Sequence, residues 1–90
     1  MASLVLESAP CAMAVECTND ELRVNLTDGR WLSVPLVWFP RLARATPAER
    51  TNYELLGEGQ GIHWPDVDED ISVVGLIAGR SSVEFKAALA

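Results

Sequence analysis

Ninety residues, 49% of them hydrophobic and three of them tryptophan, make one domain able to bury a core without disulfide staples, and they exclude disorder throughout. The net charge is −6 and Lys86 is the only lysine, a balance that repels phosphate backbones and argues against nucleic acid as a partner. No basic start leads into a long apolar stretch, and no apolar run approaches the roughly 20 residues that cross a bilayer. Cys11 and Cys17, the only cysteines, lack ligand spacing and read as free, reduced thiols, so a cytoplasmic location is expected.

Residues 1–11 carry no period and contain Ser8, Ala9 and Pro10; they are expected to form a loose leader to a single domain over 12–79. Met13, Val15 and Cys17 alternate with Ala12, Ala14 and Glu16, the period of a strand. Thr18-Asn19-Asp20 is a turn cluster. Leu22, Val24 and Leu26 then alternate with polar residues up to Asp28-Gly29 and Arg30-Trp31-Leu32-Ser33-Val34. Asp-Gly suits a two-residue type I′ hairpin loop. That loop sets Leu26 opposite Trp31 and Val24 opposite Ser33, and puts Trp31 on the core face with Leu22, Val24 and Leu26.

Pro35 closes this strand. Pro40 suits the first turn of a short helix through Leu42 and Ala45. Thr46-Pro47-Ala48-Glu49 is a capping box that starts a second helix, expected to run through Tyr53 and Leu56 to a stop at Gly57. Gly57 to Gly61 is expected to be a flexible connector. Ile62-His63-Trp64 is a short strand with Ile62 and Trp64 on one face, and Pro65 ends it. Ser72 caps a last helix from Val73 to Ala78, stopped by Gly79. Residues 80–90 form a tail, a further helical turn or a frayed end. The sum is an α+β domain, a small antiparallel sheet of about four strands with two or three short helices.

Few side chains suggest chemistry. Asp66, Asp68 and Asp70 alternate as in a calcium loop, but the sixth and twelfth positions counted from Asp66 hold Ile71 and Ile77, where such a loop needs glycine and glutamate. The acidic run is better read as a solvated approach to a helix N-terminus, and no metal is expected. His63, the only histidine, has no nucleophile or orienting carboxylate at a telling spacing. Gly57, Gly59 and Gly61 follow a helix and precede a strand, the reverse of a phosphate loop. Neither a catalytic residue nor a cofactor is assigned. Trp38, with Arg41, Arg44 and Arg50 close by in sequence, is the candidate partner-binding patch, because tryptophan and arginine dominate contact hot spots.

The hairpin Leu22 to Gly29, the run Ile62-His63-Trp64-Pro65 with Asp70-Ile71-Ser72 and Leu76, the segment Trp38 to Leu42 and the box Thr46 to Arg50 resemble in order and spacing a family of short bacterial proteins, domain of unknown function 2442, over roughly Val15 to Gly79. The resemblance implies a small α+β fold and no assigned enzymatic activity. It also implies, for some members, a place as the partner half of two-gene toxin–antitoxin or stress loci. Members with a C-terminal DNA-binding helix-turn-helix depart from this sequence, which ends at Ala90.

Together these observations point to a non-catalytic cytoplasmic protein-interaction or regulatory module, antitoxin-like, whose acidity suits a basic, neighbour-encoded partner. Two alternatives are an accessory nucleic-acid binder using Trp38 and the nearby arginines, and a small enzyme or metal protein centred on His63. A second copy of the chain is a further candidate partner, through a sheet edge or through Val83-Glu84-Phe85. A membrane partner is not expected.

Overall fold

The computed structural model describes residues 9–89. Of the expected leader, residues 1–8 lie outside the described residues, and Cys11 is tied to Thr27 by two hydrogen bonds, Thr27 N to the Cys11 carbonyl at 2.9 Å and Cys11 N to Thr27 Oγ1 at 3.0 Å. The architecture is α+β, as expected, but the strands form two antiparallel sheets of three rather than one of about four. The first sheet is β1 (Ala12–Cys17), β2 (Glu21–Leu26) and β3 (Trp31–Pro35), in that order. A single 3-10 turn, Leu36–Trp38, leads into α1 (Pro40–Ala43) and the capped α2 (Pro47–Thr51). The second sheet is β4 (Glu54–Leu56), β5 (Gly61–Trp64) and β6 (Glu69–Ser72), followed by α3 (Val73–Ile77) and α4 (Val83–Leu89).

The first hairpin differs from the expected one by one residue, with a large consequence. Leu26 N donates to the Arg30 carbonyl at 2.8 Å and Gly29 N to the Leu26 carbonyl at 2.9 Å, so the loop is Thr27-Asp28-Gly29. Gly29 alone in this loop takes a positive φ, +94°, the geometry of a three-residue loop with a glycine bulge rather than a type I′ turn. Asp28 fastens it, its Oδ1 accepting from Arg30 N at 3.1 Å and its Oδ2 from Arg30 Nε at 2.8 Å. Asn25 therefore faces Trp31, and Val24 faces Leu32. Leu22, Val24 and Leu26 keep their core places, but Trp31 is turned outward and is 52% exposed. A bulge at Met13 does the same on β1, exposing Met13 and burying Ala12.

Three further segments depart from expectation. The capping box forms, with Thr46 Oγ1 accepting from Glu49 N and Glu49 Oε1 from Thr46 N. The helix it starts ends at Thr51, because Tyr53 and the residues after it have better partners. The Tyr53 hydroxyl accepts from Val15 N at 3.1 Å, its ring lies 6.2 Å from that of Trp64, and Glu54–Leu56 pair with Gly61–His63 as a strand. Gly57 to Gly59 form a tight turn with φ positive at all three residues. Gly59 is buried, and a Cβ there would lie 2.3 Å from the Ala12 carbonyl oxygen, so the connector is a packing element between the two sheets. The acidic approach to α3 is partly strand. After the turn Pro65–Asp68, β6 pairs with β5, burying Glu69 and Ile71 and exposing Asp70 and Ser72.

One core joins the sheets. Leu22, Val24, Leu26 and Val34 meet Leu36, Phe39 and Leu42 from the helical connection, and Ile62, Trp64, Ile71, Val73 and Leu76 from the second half. Trp64 is fully buried, and its indole Nε1 donates to the Arg50 carbonyl at 3.0 Å. Ser72 caps α3 by accepting from Gly75 N, and Gly79 ends it at φ +80°. The tail beyond Gly79 is helical in α4, held by Ser82 N donating to the Trp38 carbonyl at 3.0 Å.

Candidate partner-binding surface

The structure uses the four patch residues differently. Arg50 is a strut. Its Nε donates to the Leu42 carbonyl at 2.9 Å and its Nη2 to the Ala43 carbonyl at 2.8 Å, satisfying the C-terminal end of α1. Arg41 joins α1 to the two segments beside it, with Nε 3.1 Å from Glu84 Oε1 and Nη1 donating to the Asp68 carbonyl at 2.7 Å. Trp38 is half-buried against the core, and Arg44 is exposed. Two of the three arginines are thus bound within the fold, and the patch is not a field of free cations.

His63 lies on the outer face of the second sheet, opposite Glu54 on β4 and Asp70 on β6. Its Nδ1 pairs with Asp70 Oδ1. The hydrogen bond to Asp70 raises the imidazole pKa above its ordinary value, with desolvation opposing and the charges of Asp70, Glu54 and Asp68 assisting. The acids of the 66–70 run diverge. Asp66 Oδ2 accepts from Asn52 Nδ2 at 3.0 Å, Asp70 holds His63, and Glu69 turns toward the core.

A surface that the pattern reading missed is the outer face of the first sheet. Glu16, Arg23 and Trp31 lie across its three strands. Arg23 Nη1 is 3.0 Å from Glu16 Oε1, and the guanidinium carbon sits 5.4 Å from the centre of the Trp31 ring. The hairpin loop produces this cluster, and the signal lay in Asp28-Gly29-Arg30, where Asp28 can bind the residue two places on.

A second feature is a groove of about 310 Å³ between β6, α3 and the approach to α4. Phe39, Ile71 and Leu76 contribute apolar surface, Glu69 lines it from β6, and Arg80 and Ser82 line it from the segment between α3 and α4. Burial raises the Glu69 pKa, Arg41 opposes, and Glu84, Asp70 and Asp68 add to the rise.

Residues 12–82 match the family model described as protein of unknown function (DUF2442). The chain belongs to this family. The crystal structure of a protein of unknown function from Rhodospirillum rubrum ATCC 11170 is similar at 29% identity over 92% of this chain and 100% of that one, with a TM-score of 0.74. The solution structure of an uncharacterized protein from Chromobacterium violaceum shares the fold at 23% identity and a TM-score of 0.69, over 87% of this chain and 74% of that one. No curated protein matches. Among the described residues, no helix is long and apolar enough to cross a membrane.

Proposed function

We propose that this DUF2442 protein is a small non-catalytic interaction or regulatory module of the cytoplasm, an antitoxin-like partner that binds a basic protein encoded beside it. The observation that carries this reading is Trp31, an indole 52% exposed on an open sheet face with Arg23 stacked over it. Tryptophan and arginine side by side are what contact hot spots are made of. A net charge of −6 supplies the steering that speeds encounter with a cationic partner. Trp38 and Arg44, on the helical connection, add a secondary contact.

The test is co-purification of the neighbour-encoded protein with the wild-type chain and with Trp31→Ala. Capture by the wild type and at least about tenfold weaker capture by the variant are expected for the loss of one hot-spot residue. Equal capture by both, or none by either, overturns the reading. Binding of labelled DNA or RNA that falls steeply with salt would instead identify a phosphate-backbone partner.

A further inference from the structure

Glu69 is the one charged side chain in the described core, 8% exposed. Among the described residues it forms no ion pair and its carboxylate accepts no hydrogen bond, whereas Arg41, whose charge acts on it, is committed to Glu84 and the Asp68 carbonyl. No side-chain oxygen of the described residues is both sealed from solvent and unpaired, so the Glu69 carboxylate keeps contact with solvent, and Glu69 is among the residues that line the groove. Holding a carboxylate in this position costs folding free energy. A glutamine or leucine would fit the strand pattern at lower cost. The groove floor beside it, Phe39, Ile71 and Leu76, is apolar, and a long side chain with methylenes along its stem and a charge at its tip complements both parts.

We propose that this groove receives one lysine or arginine side chain of the partner protein, its ammonium or guanidinium on the Glu69 carboxylate and its stem against Phe39, Ile71 and Leu76. The proposal rests on the interaction-module reading and adds the chemistry of one contact to it. The occupant is a protein side chain rather than a free amine because the acidic surface draws a multiply charged partner, and a single cation would gain little from that field. Arg80 lines the same groove, exposed and without an ion pair among the described residues. It is a competing charge, so its removal strengthens binding.

The experiment is an NMR titration of the full chain with N-acetyl-lysine-methylamide and N-acetyl-arginine-methylamide, with the norleucine analogue as the uncharged control. Saturable shifts are expected at Phe39, Glu69 to Ile71, Leu76 and Ser82 with the cationic probes only. Affinity should fall about tenfold in Glu69→Gln, the loss of one charge-assisted hydrogen bond, and rise in Arg80→Ala. Carboxyl ¹³C detection adds a readout on the wild type alone, in which the Glu69 carboxyl signal moves as either cation binds. No shifts, equal shifts with norleucine, or an unmoved Glu69 carboxyl signal overturn the proposal. Partner capture that survives Glu69→Gln but not Trp31→Ala removes this contact and leaves the interaction reading standing. Cation binding without any captured partner does the reverse.

Discussion

Gly59 sets the turn between β4 and β5 against the backbone of β1, and replacing it tests that packing directly. A Cβ built on Gly59 would lie 2.3 Å from the Ala12 carbonyl oxygen and 3.0 Å from Ala12 N, both backbone atoms that no rotamer change can move. Contacts below 3.0 Å are essentially unknown, so the turn and β1 must part by about 0.7 Å. Ala12 is buried and paired with Leu26, so that displacement reaches the core. Gly59 also holds φ at +98°. Left-handed strain costs an alanine about 1–2 kcal/mol, and forcing atoms into a packed site adds about 1–3 kcal/mol. Gly59→Ala should therefore lose roughly 3 kcal/mol out of the 5–13 kcal/mol expected of a chain this size. At a urea slope of about 1.5 kcal/mol per molar, the midpoint falls by about 2 M. Gly29→Ala and Gly79→Ala are the controls, with φ of +94° and +80° and nothing within 4 Å of the added Cβ. They carry the strain without the clash and should lose only about 1–2 kcal/mol. A Gly59→Ala midpoint no lower than that of Gly79→Ala would refute the close approach of the turn to β1.

The same unfolding assay separates two tryptophans: Trp64→Ala should cost about 3–5 kcal/mol, and Trp31→Ala, which removes one exposed cation–π contact, less than about 1 kcal/mol. Arg50→Ala leaves the Leu42 and Ala43 carbonyls without their charged donor and should lose about 2 kcal/mol; Arg50→Lys recovers only part of this, since an ammonium lacks the two-pronged geometry. Because the His63 pKa is raised in the fold, its pairing with Asp70 favours folding fully below the unfolded value near 6.5 and is lost as pH rises through the raised folded value. Asp70→Asn should lower the His63 pKa measured from its ring protons by NMR, and its stability deficit should shrink from pH 5.5 to pH 9.

The parts of the fold legible in the sequence are those settled by neighbours along the chain. Thr46 and Glu49 lie within one turn and cap α2; Ser72 and Gly79 bound α3; Leu22, Val24 and Leu26 face inward because their period demands a buried face. Segments decided by distant partners read differently. Tyr53 leaves the helix because Val15 and Trp64 are 38 and 11 residues away in sequence yet adjacent in space. Glu69 and Asp70 read as solvated loop, and pairing with Trp64 and His63 makes them strand. Trp31 turns outward on a single loop residue, since in a period of two any slip reverses the face. The candidate partner-binding patch departs most, for the same reason. Arg41 and Arg50 are near Trp38 in sequence, and their partners Glu84, Asp68, Leu42 and Ala43 are set by the tertiary arrangement.

The Tyr53 hydroxyl accepts the Val15 amide hydrogen midway along β1, one of the two outer strands of its sheet. A foreign strand zipping along that flank would need this very amide, and would meet an aromatic ring packed over it. The phenol thus serves as a bolt against fibril-like stacking of one molecule on the next. Tyr53→Phe, almost unchanged in shape, would leave the bolt undone and give a protein whose first defect is turbidity on storage rather than loss of its fold.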